Sequence, residues 1–229
     1  MIKVLEAIYN FDLSVFNAVF SLHNPVLNKI MEIITTLGDE GIIWIALALV
    51  LLLFKKTRKI GVSICVALVV MGLINNEVLK PIIARARPFY AFDPSAIPLD
   101  HKYFDEVFAK ATENVAKFPE LAARWVSEYK FPEIVERPSS WSFPSGHTSS
   151  AFACATAVFA YNKKVGSPLM IFAAIMGFTR IYVGVHYCTD VLVGMIVGII
   201  YGIIGYYIAA FIVKTLKKKN LKPAKLFAD

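Results

Sequence analysis

Apolar residues along this chain gather into long blocks that are separated by short polar or basic stretches. A helix needs about 20 mostly apolar residues to cross the hydrocarbon core of a bilayer. Five blocks approach or reach that length: residues 38–54, 60–79, 148–161, 167–183 and 189–213. The pattern therefore predicts an all-α fold, a polytopic transmembrane helix bundle of five or six spans.

The segment before the first block has helical periodicity but carries polar interruptions. Residues 3–22 and 25–37 each place apolar side chains on one side, and Glu6, Asn10 and Asp12 interrupt the first of them. Polar groups are costly in lipid, so N-terminal helices that lie in the membrane interface are favoured. The alternative for residues 3–22 is a poor sixth span. Because no basic region precedes a continuous apolar stretch, no cleavable signal peptide is expected.

One long stretch between the apolar blocks has the composition of a soluble segment. Residues 102–117 and 119–130 within it have the periodicity of short amphipathic helices. We expect residues 91–141 to form a small extracytoplasmic helical insertion or cap, and residues 214–229 to form a basic cytoplasmic tail. The whole chain, residues 1–229, is then a single membrane domain.

Composition agrees with a membrane protein. The chain is 57% hydrophobic and 18% charged, whereas soluble domains average about 45–50% and about 25%. Its net charge is +7, and the basic residues cluster at 55–59, 163–164 and 214–219. If every block crosses once, these clusters lie on one side, which the positive-inside rule makes cytoplasmic. The loops at 80–147 and 180–190 are then extracytoplasmic.

The same distribution of charge bears on partners. Nucleic acid is not expected as a partner, because the basic residues form no pattern that reads DNA or RNA. The lipid bilayer is the expected partner, and the sequence does not predict an oligomeric state. Cys65, Cys154 and Cys188 have no spacing typical of disulfides or metal sites, so we interpret them as small packing residues.

Candidate chemistry first appears in the string KPIIARARP, residues 80–88. Lys80 and Arg87 are seven apart, and two helical turns would place them on nearly the same face. Pro88 marks a helix end. These cations could bind phosphate, or they could reach from the membrane toward lipid headgroups. Arg85 has the same two alternatives.

A second string, FPSGHTSS at residues 143–150, opens an apolar block. Ser145 or Thr148 could cap the helix that starts here. A helix N-terminus presents free N–H groups and a positive dipole end, which favour phosphate. Gly146 permits close backbone approach, and His147 follows where it can transfer a proton. The alternative is an ordinary helix start with an incidental histidine.

The third string, TRIYVGVHYCTD, has Arg180 at the end of one block and a His–Asp pair at the start of the next. A spacing of four predicts His186 and Asp190 on one helical face. A carboxylate that holds one ring nitrogen as N–H leaves the other free as a nucleophile. The alternative is a His–Asp pair that only stabilises the helix.

All three strings fall on the predicted outer side, at the ends of apolar blocks. Together they supply strong cations, two histidines and a helix N-terminus, which is what transfer of a phosphoryl group to water needs. The sequence has no acidic ligand set for a metal pair. Neither a metal nor another cofactor is therefore expected.

The three strings resemble the motifs of the type 2 phosphatidic acid phosphatase family, which is related to vanadium haloperoxidases. The family pattern is KxxxxxxRP, then PSGH, then SRxxxxxHxxxD, and the chain matches it at residues 80–88, 144–147 and 179–190. Thr179 stands where the family usually has serine, and it keeps the hydroxyl. Order, spacing and helix-end context agree over residues 38–213.

The resemblance implies a role for each matching position. His186 would attack as the nucleophile, Asp190 would orient it, and His147 would protonate the leaving lipid oxygen and then activate water. The residues implied to bind the phosphate are Lys80, Arg87, Ser145, Gly146 and Arg180. Proteins of this family need no metal.

The resemblance also implies a phospholipid or polyprenyl (pyro)phosphate as substrate. Undecaprenyl diphosphate, hydrolysed to undecaprenyl phosphate and phosphate, is the one expected here. An outward site and the N-terminal helices before the TLGDEG turn favour it, whereas the long segment 91–141 is not typical of that branch. Phosphatidylglycerophosphate and phosphatidate are alternatives. A non-catalytic lipid-binding or transport protein is the rival class, and the charges at block ends argue against it.

Overall fold

The computed structural model describes residues 2–97, 103–128, 133–218 and 227. Most of the predicted basic tail at 214–229 lies outside these residues, as do parts of the segment 91–141. Every regular element within the described ranges is helical, which confirms the all-α prediction.

Ten α-helices, numbered in chain order, make up most of the described residues. Their bounds are α1 Ile2–Phe20, α2 Pro25–Thr36, α3 Ile42–Leu53, α4 Arg58–Gly72, α5 Lys80–Ile83, α6 Phe104–Lys117, α7 Pro119–Glu128, α8 Gly146–Tyr161, α9 Lys163–Tyr182 and α10 Cys188–Lys218. Short 3-10 turns lie at Asp39–Gly41 and Pro94–Ala96, and a π-helical turn lies at Leu73–Leu79.

Three helical segments in the described part of the chain are long and apolar enough to cross a membrane. They are Arg58–Ile83, which joins α4, the π-helical turn and α5, together with α9 and α10. A fourth is added if α2 and the segment Asp39–Leu53, which meet at 42°, form one broken span. The helix α8 has only 16 residues. Length and composition therefore do not confirm a count of five or six spans.

The short helix α8 forms the centre of the bundle, where residues 148–158 are all buried against its neighbours. The helix α10 approaches it closely through glycines. A Cβ at Gly198 would lie 2.6 Å from the backbone oxygen of Ser149, and one at Gly202 would lie equally close to that of Ala153. Small residues allow such contact between membrane helices. The N-termini of α8 and α10 thus meet at one end of the bundle, which we call the site end.

The helix that carries Lys80 ends earlier than the sequence predicts. The π-helical turn Leu73–Leu79 comes just before Pro81, whose ring cannot fit a regular α-helical turn. Ala84 then ends α5 in the left-handed conformation, with φ of 43°. Arg87 lies in the loop beyond. The prediction that Lys80 and Arg87 share one helical face, with a helix end at Pro88, is therefore wrong.

The N-terminal helix α1 packs at the site end. It is not among the described helices that are long and apolar enough to span a membrane. Its buried residues are Tyr9, Asp12, Leu13, Phe16 and Val19. Trp125 of α7 packs edge-on against Tyr9 and donates its indole N–H to the backbone oxygen of Pro88 at 3.0 Å. The helix α7 and the loop after α5 therefore close over α1.

Candidate active site

A cavity of about 460 Å³ opens at the site end of the bundle. Six of the residues predicted from the sequence line it: Lys80, Arg87, Gly146, His147, Arg180 and His186. The other two predicted residues, Ser145 and Asp190, are fully buried. The structure thus brings residues from all three strings to one cavity.

His186 lies in the turn between α9 and α10, and its side chain is 3% exposed. Its Nε2 lies 3.2 Å from Nη1 of Arg87. Because arginine has only donors, Nε2 must accept and the ring proton must be on Nδ1. Burial and then the charge of Arg87 lower the pKa of His186 to about 3. The imidazole is therefore neutral at pH 7, with its lone pair at Nε2.

Asp190 is the third residue of α10 and faces His186 from the start of that helix. Its Oδ2 lies 3.5 Å from Nδ1 of His186. The same oxygen accepts the backbone N–H of Tyr187 at 3.1 Å, as a carboxylate at this helical position often does, and the hydroxyl of Ser142. The two residues are adjacent, but the predicted shared helical face is wrong because α10 begins at Cys188.

Besides its hydrogen bond to His186, the guanidinium of Arg87 is fixed in the cavity wall by three others. Its Nε donates to the backbone oxygen of Ser140 at 2.7 Å, and its Nη2 donates to the hydroxyl of Ser140 at 2.9 Å. Its Nη1 donates to the backbone oxygen of Val185 at 2.8 Å. Burial and then the charge of Arg180 lower the pKa of Arg87 to about 9, so it stays charged at neutral pH. A fixed cation beside Nε2 of His186 favours an anionic ligand there.

Arg180 and Lys80 add two further cations to the wall of the cavity. Arg180, near the end of α9, donates from Nη1 to the hydroxyl of Thr35 on α2. Its buried Nε has no hydrogen-bond partner among the described residues. Lys80 is the first residue of α5. Three cations around one cavity favour a ligand with more than one negative charge.

The N-terminus of α8 opens on the cavity at Gly146, where an added Cβ would meet no atom within 4 Å. Backbone N–H groups and the positive end of the helix dipole favour an anion at this point. Ser145 is the N-cap, and its hydroxyl accepts the hydroxyl proton of Thr148 at 3.0 Å. The hydroxyl of Ser145 therefore caps the helix and does not line the cavity.

His147 has a partner that the sequence did not indicate. Its Nε2 lies 2.9 Å from Oδ1 of Asp39, in the 3-10 turn between α2 and α3. Gly38 makes this approach possible, because a Cβ there would lie 2.6 Å from Cδ2 of His147. The only signal in the sequence was a pair of acidic residues between glycines in the TLGDEG turn.

Arg85 takes neither of the positions considered for it. It faces neither the cavity nor the lipid headgroups, and instead donates to Asp190 and to Asp12, a buried residue of α1. Asp12 lies outside the three strings, so nothing in the sequence pattern indicated that it contacts them. Among the described residues, no three His, Cys, Asp or Glu side chains are grouped so that they could hold a metal ion.

Comparison with known proteins identifies the family of the chain. The family model described as PAP2 superfamily matches residues 58–214. The undecaprenyl-diphosphatase of Sulfolobus acidocaldarius is 25% identical over 185 residues, which are 80% of this chain and 71% of that protein. Undecaprenyl-diphosphatase BcrC of Bacillus subtilis is 29% identical over 180 residues, which are 78% of this chain and 74% of that protein.

The fold also matches a solved structure. The crystal structure of the first transmembrane PAP2-type phosphatidylglycerolphosphate phosphatase from Bacillus subtilis has a TM-score of 0.59 and 22% identity, and the match covers 92% of this chain and 88% of that chain. The matched family segment includes all three strings and more than half of the chain. The protein is therefore a membrane phosphatase that belongs to the PAP2 superfamily.

Proposed function

We propose that this protein removes the terminal phosphate of undecaprenyl diphosphate through a phosphohistidine at His186. The observation that carries the proposal is the position of Nε2 of His186. It is the unprotonated nitrogen of a neutral imidazole on the cavity wall, and it accepts a hydrogen bond from Nη1 of Arg87 at 3.2 Å. A nucleophile beside fixed cations is the arrangement that transfer of a phosphoryl group needs.

In the first step, the lone pair of Nε2 attacks the terminal phosphorus and an N–P bond forms. The bond from that phosphorus to the bridging oxygen breaks, and undecaprenyl phosphate leaves with this oxygen. Asp190 faces the Nδ1–H of His186 and offsets the positive charge that develops on the ring. His147, in its protonated form, gives a proton to the leaving lipid oxygen. Burial and then the charge of Arg180 lower the pKa of His147 to about 2. The bound phosphate and Asp39, 2.9 Å from Nε2 of His147, offset this effect and favour the protonated ring.

In the second step, water attacks the phosphoryl group on His186. His147 is now neutral and accepts the proton of the water, while the N–P bond breaks and its electron pair returns to Nε2. Inorganic phosphate leaves, and both histidines regain their starting states.

The three cations of the cavity bind the phosphate through both steps. Arg87 and Arg180 are fixed by their own hydrogen bonds, so they need little rearrangement as charge develops. The backbone N–H at Gly146 adds a donor from the helix N-terminus. The residue set has no need of a metal ion to offset the charge.

The shape of the cavity supports a lipid substrate. Part of its wall is apolar and comes from Ile45 of α3 and from Leu68 and Met71 of α4. A phosphate held by the cations can therefore carry an apolar chain that leaves toward the bilayer. Two relatives named undecaprenyl-diphosphatase support the polyprenyl diphosphate. Phosphatidylglycerophosphate and phosphatidate present similar headgroups and are the alternatives.

We place the cavity on the extracytoplasmic side and the C-terminus on the cytoplasmic side. His147 stands at the start of α8, and Tyr161 ends that helix at the opposite end of the bundle. The ammonium of Lys59 lies 5.6 Å from the ring centre of Tyr161. Basic residues thus gather at the end away from the cavity, which the positive-inside rule assigns to the cytoplasm.

The test is phosphate release by the purified protein in detergent with EDTA present. Undecaprenyl diphosphate, phosphatidylglycerophosphate and phosphatidate are assayed separately. We expect release in EDTA, with the highest kcat/KM for undecaprenyl diphosphate, and a loss of at least about 10³-fold in His186→Ala. His23→Gln, which changes a histidine outside the cavity, should keep the activity.

A labelled substrate adds a direct measure of the intermediate. With radioactive phosphate in the terminal position, the label should appear transiently on the protein, and not on His186→Ala. Activity that survives the loss of His186, or that requires added metal, would contradict the mechanism. A lack of release from every lipid would favour a binding or transport protein, and a preference for another lipid would correct only the substrate.

A further inference from the structure

The N-terminal helix contributes a buried carboxylate to the back of the catalytic pair. We propose that Asp12 of α1 is a positioning residue for His186, acting through Arg85 and Thr189 on the carboxylate of Asp190. The inference rests on the proposed function, because it assigns Asp12 a part in the chemistry of His186. Through Asp12, the helix α1 takes part in catalysis as well as in packing.

Both carboxylate oxygens of Asp12 accept hydrogen bonds. Its Oδ1 accepts the backbone N–H of Thr189 at 2.9 Å, and its Oδ2 accepts the hydroxyl of Thr189 at 2.8 Å. The same Oδ2 accepts Nη2 of Arg85 at 2.7 Å. Asp12 is fully buried, and burial raises its pKa, an effect that the charge of Arg85 and these donated hydrogen bonds offset in part.

Arg85 joins Asp12 to the catalytic pair. Its Nη1 donates to Oδ1 of Asp190 and to the hydroxyl of Thr189, both at 2.7 Å. The guanidinium carbon of Arg85 lies 3.6 Å from the ring centre of Tyr187, so the flat face of the guanidinium packs on this aromatic ring. Arg85 is thus fixed by a carboxylate on each side and by an aromatic ring.

This arrangement determines which oxygen of Asp190 faces His186. Oδ1 is occupied by Arg85, which leaves Oδ2 to face Nδ1 of His186. Without Asp12, the guanidinium loses one of its two carboxylate partners and can turn toward Asp190 alone. The carboxylate of Asp190 would then move or rotate relative to the imidazole.

Charge gives a second effect of the same residue. Asp12 and Asp190 together carry two negative charges against the single positive charge of Arg85, so the cluster behind His186 has a net negative charge. A negative charge there stabilises the positive ring that forms when Nε2 attacks phosphorus. The other titratable groups that face the cluster are Tyr9 of α1, Tyr187 and Cys188.

Asp12 lies outside the part of the chain that the family model matches, which begins at residue 58. The contact between Asp12 and Arg85 spans 73 positions in the sequence. An N-terminal segment that is separate from the matched motifs therefore completes the hydrogen bonding of a motif residue. A role in folding alone is the competing explanation, since unpaired buried charges are strongly destabilising.

The test compares Asp12→Asn, Asp12→Glu and Thr189→Val with the wild-type enzyme on undecaprenyl diphosphate in detergent. We expect Asp12→Asn to lower kcat at least about tenfold, with KM within about twofold, because the phosphate-binding cations are untouched. Asp12→Glu should recover part of kcat, since it restores the charge. Thr189→Val keeps both charges and should lower kcat less. Glu6→Gln, the same change at an exposed acid of α1, should keep wild-type activity.

The melting midpoint of each variant separates positioning from folding. A folded Asp12→Asn whose kcat is within twofold of the wild type would overturn the inference. A kcat that falls only in proportion to the folded fraction, without recovery in Asp12→Glu, would also overturn it. If Asp12→Asn does not fold, Thr189→Val decides, and a folded Thr189→Val whose kcat is within twofold of the wild type would overturn the inference. Wild-type enzyme that releases no phosphate would instead refute the proposed function.

Discussion

The two histidines of the cavity have carboxylate partners with very different environments. Asp190 is fully buried, whereas the side chain of Asp39 is 54% exposed. In the proposed mechanism His186 must be neutral before it attacks, and His147 must gain and lose a proton. A partner that is open to solvent suits the residue that exchanges protons with water. Bound phosphate would also offset the nearby cations, which favours the protonated form of His147.

A first prediction concerns the glycine that lets His147 meet Asp39. A methyl group at Gly38 would lie 2.6 Å from Cδ2 of His147 and 2.8 Å from Sδ of Met176. Gly38→Ala should therefore displace the imidazole and lower kcat at least about tenfold, with inhibition by inorganic phosphate little changed. Phosphate release and the inhibition constant are the measurements. Leu37→Ala, at the exposed neighbouring residue, is the control, and a kcat for Gly38→Ala within twofold of it would refute the prediction.

A second prediction concerns pH and stability. His186 has a pKa of about 3 in the folded protein, against about 6.5 in an unfolded chain. Between these values the unfolded chain binds a proton that the native state does not, so stability rises with pH. The contribution is complete above pH 6.5 and is lost as pH falls toward 3, by at most about 1.4 kcal/mol per unit. His186→Gln should therefore lose less thermal stability than the wild type between pH 7 and pH 5, and equal losses would contradict this.

At the residue scale, the sequence predicted the site residues that lie within the three strings. It did not predict the carboxylates that pair with residues of these strings from distant parts of the chain. Lys80, Arg87 and His186 stand in strings whose polar residues are grouped at the end of an apolar block. Asp12 and Asp39 lie outside the three strings, and their partners lie 73 and 108 positions away. Asp12 therefore had the appearance of a polar interruption in a weak helix. Such pairs follow only from the packing of helices.

At the scale of elements, apolar length located the helices but spacing did not determine their ends. The block predicted at 167–183 is α9, Lys163–Tyr182, and the block at 189–213 lies within α10. The seven-residue spacing at 80–88 fits two helical turns only if the helix continues, and Ala84 ends it. A spacing of four is likewise satisfied both by a helical face and by the turn that precedes α10.

A third prediction tests the close packing of α8 and α10. A side chain at Gly198 would meet the backbone oxygen of Ser149, which cannot move unless α8 moves. Gly198→Val should therefore lower the melting midpoint strongly and abolish phosphate release, because α8 carries His147. Ile196→Val changes a residue of α10 that is 53% exposed, and this variant should behave as the wild type. A Gly198→Val protein with the control's midpoint would show that the helices are not in close contact.

At the scale of the whole molecule, the two ends of the bundle differ in their chemistry. One end holds the cavity, and the other holds the basic residues that border α4, α8 and α10. The sequence could predict this separation because topology signals and motif strings both occur at block ends. It could not give the number of spans, since α8 has only 16 residues and most of its apolar residues are buried against other helices.

A fourth prediction tests the orientation of the two ends. In a variant in which Cys65, Cys154 and Cys188 are replaced by alanine, single cysteines are placed at exposed positions by Lys56→Cys or Glu136→Cys. A membrane-impermeant maleimide should label Glu136→Cys in intact cells and Lys56→Cys only after lysis. Labelling of Lys56→Cys alone in intact cells would place the cavity on the cytoplasmic side.

The π-helical turn Leu73–Leu79 has a consequence for how the chain can change over generations. In it, the N–H of Lys80 bonds to the oxygen of Asn75, five residues back. A turn of this kind accommodates one additional residue locally, whereas in a regular helix an added residue rotates everything after it by about 100°. Loss of one residue from this turn would carry Lys80 away from the cavity. A single gap here would therefore have to be compensated by a new phosphate-binding cation.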